Sequence, residues 1–315
     1  MAHKGSMKRT NWSVDVAGTG FTVLDRIYTD GGLADEALGG SCGNVLVSLA
    51  MLHRRVAPVL ALGMDDTGEQ LVREFSLAGA NTQYIHRHAH LRSPILAQEL
   101  DIRSGRHDFS FICPETKADF PRYRPIGHVE LTSAMLVVSQ CSVFFADRLS
   151  ETILEAMTTA RRAGATVFFE PSDIGEDGGL FDRALQVTSV LKYSADRLGD
   201  RLSNVQFPGI RIVTHGAAGL EVSAEGKSQW SEAIYSPNVV DTCGSGDMVS
   251  IGVIDWILTI GFSAVELGVS EILKGVVAGQ RLATENCAYA GARGLFKARG
   301  ADYVRQLLSE FHATA

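Results

Sequence analysis

Apolar and polar positions along the chain alternate between two periods, and the change of period marks out the elements. Val14, Val16, Gly18 and Gly20 describe a strand running into a glycine turn, and a polar stretch follows over 25–36. Residues 41–53, with Val45, Leu46, Leu49, Ala50 and Leu52 at helical spacing, predict a helix, and 56–62 the next buried strand. The segment 93–111 lacks helical periodicity. Its β-prone runs 95–100 and 108–112 flank the turn Arg103-Ser104-Gly105-Arg106 and predict a hairpin, which together with 22–33 would make a small sheet outside the main body.

Beyond Pro125 the order becomes regular. Strands are predicted at 134–138, 143–146, 166–170, 190–192, 210–214 and 219–224, with helices at 150–163 and 180–188, and long helices at 246–259 and 264–290 close the chain. Strands alternating with helices of this length predict an α/β fold: a doubly wound, mainly parallel sheet covered on both faces. No internal repeat or low-complexity linker divides the 315 residues, so 1–315 reads as one domain, with lid elements at roughly 22–38 and 93–113 inserted in it.

Charge narrows the partners. A net charge of −7 provides no broad positive field for nucleic acid or an anionic membrane, which leaves a small molecule as the expected ligand. Cys42, Cys113, Cys141, Cys243 and Cys287 are widely spaced and form no C-x-x-C pair, as expected of reduced thiols in a cytoplasm. The polar, basic residues 1–11 are not followed by the apolar run of a signal peptide, and the apolar stretch 248–260 is too short to span a bilayer.

The chemistry concentrates in Asp241-Thr242-Cys243-Gly244-Ser245-Gly246-Asp247, which leads into the apolar run from Met248. Small residues admit close approach of a ligand to the backbone, and the free amides that open a helix favour an anion. Gly244, Ser245 and Gly246 would line such an anion hole, with the Asp247 carboxylate at its edge to take a proton from an attacking hydroxyl. An isolated G-x-G-D is more often than not a capped turn, so the reading needs support elsewhere.

That support is a second signature. Gly39-Gly40-Ser41-Cys42-Gly43-Asn44 opens a helix, Gly63-Met64-Asp65-Asp66-Thr67-Gly68 follows, and Thr214-His215-Gly216-Ala217-Ala218-Gly219 forms a turn further on. Together with 241–247 these resemble, in the same order, the signatures of the ribokinase-like, PfkB-type carbohydrate kinases, with Ser245 in place of the common alanine. The resemblance covers nearly the whole chain. It implies a small β lid, MgATP as phosphoryl donor and a homodimer formed through the lid.

By position the resemblance also implies site residues. Asp25, Gly39, Gly40 and Asn44 would face a sugar-like substrate, and Thr214, Gly216, Gly219 and Asn286 the ATP. Asp241 would mark a monovalent-cation site and hence potassium activation. Where the family has N-x-x-E this chain has Ser194-Ala195-Asp196-Arg197, so Asp196 or Glu170 is left to supply a carboxylate to the water shell of Mg2+.

The expected activity is ATP-dependent phosphorylation of a hydroxyl on a sugar or sugar-like compound. A nucleoside kinase and a non-catalytic sugar-binding regulator derived from a kinase stand as alternatives. Gln98, Asp101, Arg103, Arg106 and His107, in the lid, are candidates for reading the substrate. Two other patterns are weaker: His86, His88 and His90 alternate as metal ligands on a strand would, and Gly18-Thr19-Gly20 hints at a dinucleotide turn whose third glycine is replaced by Val23.

Overall fold

The computed structural model describes residues 13–101, 106–175, 178–261 and 268–314, with no side-chain description for Arg106 and Thr314. Its strands are β1 (Val14–Thr19), β2 (Val23–Thr29), β3 (Gly32–Gly39), β4 (Val56–Pro58), β5 (Leu60–Gly63), β6 (Ile85–His88), β7 (Ile95–Asp101), β8 (Arg106–Ser110), β9 (Cys141–Ala146), β10 (Thr166–Phe169), β11 (Val190–Ser194), β12 (Ile210–Thr214), β13 (Gly219–Ala224) and β14 (Lys227–Glu232). Its α-helices are α1 (Ser41–Met51), α2 (Asp66–Leu77), α3 (His128–Ser139), α4 (Glu151–Arg162), α5 (Gly178–Val187), α6 (Ala195–Leu202), α7 (Ser245–Ile260), α8 (Val269–Asn286) and α9 (Gly294–Thr314).

The main sheet runs β14-β13-β12-β11-β10-β9-β1-β4, parallel from β4 to β12 and antiparallel at β13 and β14. Both of its faces are covered, which is why its strands read as nearly continuous apolar runs. Val143, Phe145 and Phe168 face a core shared with α1, α7, α8 and α9, while Phe144, Phe169 and Val167 face a second core shared with α3, α4 and α5. A separate sheet, β3-β2-β7-β8, combines the predicted hairpin with 23–39.

Several expectations give way. Residues 134–138, read as a strand, lie in α3, where Val129, Met135 and Leu136 are exposed and blur the amphipathic pattern that would have marked a helix. The strand expected at 56–62 breaks at Val59: β4 stays in the main sheet and β5 pairs with β6. The chain closes with α9 rather than α8, and 262–267, where α8 was expected to begin, lie outside the described residues.

The parallel strands all end on one edge. Thr19 of β1, Asp147 just after β9, Glu170 just after β10, Ser194 of β11 and Thr214 of β12 stand at their C-terminal ends, the position where open α/β sheets place ligands.

Candidate active site

The two glycine signatures meet along this edge. The α7 helix starts at Gly244, whose φ of 76° is left-handed, and a Cβ there would come within 2.5 Å of the Ala292 carbonyl oxygen, so no other residue fits. The Ser245 amide and hydroxyl both donate to the Thr242 carbonyl, at 3.2 and 2.8 Å. Of the expected anion hole, Ser245 is therefore engaged within its own turn. The amides of Gly246 and Asp247, in the first helical turn, have no intrahelical carbonyl to reach.

Asp247 is 8% exposed, and its Oδ2 accepts a 2.8 Å hydrogen bond from Asn44 Nδ2, 203 residues away on α1. Burial, reinforced by the charge of Glu170, raises its pKa to about 7, against the opposing influence of Asn44 and Lys192. Lys192, on β11, is 2% exposed and pairs with Glu170, whose other oxygen accepts from Ser250 Oγ at 2.5 Å. The ammonium group lies 3.6 Å from the point where a Gly246 side chain would begin, so a buried cation stands beside the free amides. Sequence reasoning missed Lys192, which carries no motif of its own.

Asp25, on β2, is also buried, and a Cβ on Gly39 would fall 1.8 Å from its Oδ2. Burial raises it to about 7, with Arg293 and the Gly40 amide opposing and Glu74 adding to the shift. Arg293 donates to the Leu38 carbonyl at 2.6 Å and to Glu74 at 3.1 Å, while Glu74 accepts the Leu38 amide at 2.9 Å. This clamp fixes the approach to Gly39 and Gly40. The Oδ1 atoms of Asp25 and Asn44 are buried and have no protein partner.

Asp147 was not anticipated either. Its oxygens accept the amides of Phe21 at 2.7 Å and Cys42 at 3.1 Å, joining the β1–β2 turn to the start of α1. Gly20 exists to admit it, since a Cβ there would lie 1.8 Å from Asp147 Oδ1, and this explains the Gly18-Thr19-Gly20 pattern without a dinucleotide.

On the other side of the Gly244 turn, Asp241 is fully buried. It accepts from the amides of Cys243 and Gly291, each at 2.8 Å, and from Gln98 Nε2 at 3.2 Å, with His107 Nδ1 at 3.3 Å. Burial alone would raise its pKa, but His107 and the two amides outweigh it and hold the carboxyl below its ordinary range. Three hydrogen bonds on its two oxygens, with His107 beside them, hold the Asp241 carboxylate firmly against the Gly244 turn. Gln98 thus fastens to the 241–247 segment with His107 beside it; Arg103 and the side chain of Arg106 lie outside the described residues.

The nucleotide-side expectations divide. Thr214, Gly216 and Gly219 line the turn between β12 and β13, and a Cβ on Gly216 would meet nothing within 4 Å, leaving open backbone at the sheet edge. Asn286 does something else. Its Nδ2 donates to the carbonyls of Cys243 and Gly291 at 3.4 and 3.3 Å, and its Oδ1 accepts from the Leu295 amide at 2.9 Å. Fully buried, it ties together the two loops that hold Gly244.

The carboxylates considered for magnesium also separate. Glu170 is within electrostatic reach of Asp247, whereas Asp196 is exposed on the first turn of α6. Arg197, in the acidic position of N-x-x-E, acts on the Cys243 thiol by its charge. Of the histidines, His86 meets Ser133 and His88 meets Glu130, each at 2.6 Å, and no cluster of three or more metal-ligating side chains occurs among the described residues.

Comparison with known proteins identifies the family. Residues 34–294 match the pfkB family carbohydrate kinases. A fructokinase of Escherichia coli is 26% identical over 280 residues, covering 81% of this chain and 88% of that protein. Among solved structures, the ATP-bound fructokinase of Xylella fastidiosa superposes with a TM-score of 0.76 at 22% identity, covering 94% of this chain and 98% of that one. Adenosine kinase of Sinorhizobium meliloti gives 0.72 at 19% identity, with coverage of 93% and 99%. The chain belongs to the pfkB family of carbohydrate kinases and is an ATP-binding sugar kinase of ribokinase-like fold.

Proposed function

We propose that this pfkB-family kinase transfers the γ-phosphoryl group of ATP in line to a hydroxyl of a sugar-like acceptor, with Asp247 as general base. The observation that carries the reading is the Asn44–Asp247 hydrogen bond, which joins the acceptor-side glycines to a carboxylate of raised pKa at the start of α7. A base titrating near neutrality is matched to its task. Asp25, with one oxygen unpartnered, holds acceptor hydroxyls against Gly39 and Gly40. Asp247 then removes the proton from the attacking hydroxyl. The Gly246 and Asp247 amides and Lys192 take up the charge that gathers on the phosphoryl oxygens.

Thr214, Gly216 and Gly219 cradle the nucleotide, and Asn286 supports the turn rather than touching ATP. Magnesium, when bound with ATP, neutralises phosphate charge. Glu170, paired with Lys192 and Ser250 and within electrostatic reach of Asp247, would meet that ion through its water shell. A monovalent cation at Asp241 would sit beside the Gly244 turn, against a carboxylate that Cys243, Gly291 and Gln98 already orient. The sheet β3-β2-β7-β8 acts as the lid of a single kinase unit, and its exposed Leu33 and Phe109, with Ile112 just beyond β8, suit a homodimer formed through it. No helix among the described residues is long and apolar enough to cross a membrane.

The test is ADP release from MgATP across a panel of sugars, sugar acids, sugar phosphates, inositols and nucleosides, with Asp247→Asn as the blank. Acceptor-dependent release that the variant lacks supports the assignment. Release that survives in Asp247→Asn removes that residue from the role of base.

A further inference from the structure

Beside the acceptor-side glycines stands a group of aromatic and cationic side chains that the phosphotransfer mechanism does not use. Phe21 follows Gly20 in the turn that Asp147 holds, and its carbonyl oxygen lies 2.4 Å from where a Gly40 side chain would begin, so Phe21 borders the acceptor-side glycines directly. Around it stand Phe111 and Tyr123, edge-on, with ring centroids 6.4 and 6.0 Å away. Two arginines complete the group: the Arg148 guanidinium sits 4.4 Å from the Phe21 ring centroid, and that of Arg122 lies 5.0 Å from the Phe111 centroid.

Three features decide what this group can bind. First, the faces of Phe21 and Phe111 already carry guanidinium groups, so a nucleobase stacking on those faces would have to displace a cation. Second, Arg148 is not consumed by the protein. Of its five N–H donors, one reaches the Asp147 carbonyl at 2.9 Å, while the nearest Asp147 carboxylate oxygen is 3.5 Å away and already accepts the Cys42 amide. Third, the Tyr123 hydroxyl is buried without a hydrogen-bond partner, and the charges of both Asp147 and Arg148 act on it. Guanidinium donors and an unpartnered phenol, next to glycines that admit a flat ligand, make a receptor for oxygen-rich negative charge.

Resting on the kinase reading above, we propose that the acceptor carries an anionic group, a carboxylate or a phosphate ester, bound by Arg148 and Tyr123 with Arg122 at the entrance. The hydroxyl to be phosphorylated lies at the other end of the acceptor, against Asp25 and Asp247. This polarity separates the acceptor's own charge from the carboxylates that must activate its hydroxyl.

The test compares matched acceptors: glucose with gluconate and glucose 6-phosphate, fructose with fructose 1-phosphate and fructose 6-phosphate, and 2-keto-3-deoxygluconate with 3-deoxyfructose, its neutral counterpart at C1. Both kcat/KM and calorimetric affinity are read in the wild type, Arg148→Gln and Tyr123→Phe. The expectation is that one acidic class exceeds its neutral match by at least about tenfold, with the two anionic arms telling carboxylate from phosphate. Each variant should lower that ratio, Arg148→Gln by about tenfold or more and Tyr123→Phe, which keeps the ring, by less.

A neutral sugar or a nucleoside that outperforms every acid overturns the proposal and leaves the kinase assignment standing. So does an acid preference that both variants leave untouched. A panel that releases no ADP counts against phosphotransfer alone, and calorimetry still decides the anionic preference: tighter binding of acids that Arg148→Gln abolishes supports it, and equal binding of acid and neutral partners refutes it.

Discussion

Asp241 and Asp247 stand six residues apart at the two ends of one glycine segment, both buried, yet they are opposite kinds of aspartate. Asp241 collects two backbone amides, Gln98 and the approach of His107, and its pKa falls; Asp247 receives Asn44 on one oxygen, faces Glu170, and its pKa rises to about 7. Burial is common to both, so the number of donors decides the sign. A carboxylate surrounded by donors is a structural anchor, whereas one left short of them is poised to take a proton.

The largest break in this symmetry should come from Asp247→Asn. With the amide isosteric and Asn44 still close by, fold and ligand binding persist while kcat falls by about 10²- to 10⁴-fold, read from ADP release beside a circular-dichroism check of folding. In the wild type, kcat/KM should drop about tenfold per pH unit below pH 7, because the base must be ionised to act. A rate independent of pH between 5 and 7 would contradict the raised pKa.

Asp241→Ala should do the reverse, harming stability before chemistry. It strands the Cys243 and Gly291 amides and Gln98 in a buried site, at a cost of about 3–5 kcal/mol measured by urea unfolding. Were Asp241 chiefly a cation ligand, the variant would instead unfold like the wild type and differ only in its response to potassium.

A subtler difference appears in the dependence of stability on pH. A buried carboxyl whose folded pKa is raised contributes stability that is fully present below its unfolded pKa near 3.8 and is lost as pH climbs through about 7. Asp247→Asn removes that loss. The variant should melt above the wild type at pH 8, by a margin that shrinks towards pH 5. An equal margin at both values would mean that Asp247 is already ionised across the range.

The sequence revealed these two aspartates unequally. Gly244 and Gly40 could be read from it because a left-handed φ and a close backbone approach admit one residue type, and that constraint is local. The small β sheet was legible for a local reason too, since its β-prone runs are short, lack helical periodicity and flank a turn. Asp147, Lys192, Arg293 and Glu74 were not, because each stands alone in an unremarkable stretch and acquires its role only when strand ends far apart in sequence meet. Asn286 was read as a nucleotide contact from its position, and only the fold shows both ends of its amide spent on loop backbone. The α3 error is of another kind: its exposed apolar side chains erased the periodicity by which a helix is recognised.

The smallest effect tests how the lid takes part in the contrast. Gln98, on β7, donates to Asp241 at 3.2 Å, and His107, on β8, approaches the same carboxylate, so two strands of the small sheet meet the segment that opens α7. Gln98→Met keeps the side chain's length and bulk and removes one hydrogen bond to a charged acceptor, which should cost about 1–2 kcal/mol. If the bond is a fastening, amide exchange should accelerate in β7 and β8 before it does in the main sheet, and KM for the acceptor should rise more than kcat falls, because a loosened lid holds its ligand poorly. If Gln98 merely fills a core, exchange should quicken evenly across both sheets and KM should stay where it was; Asp241 would then be anchored by Cys243 and Gly291 alone, and the lid would move independently of the aspartate beneath it.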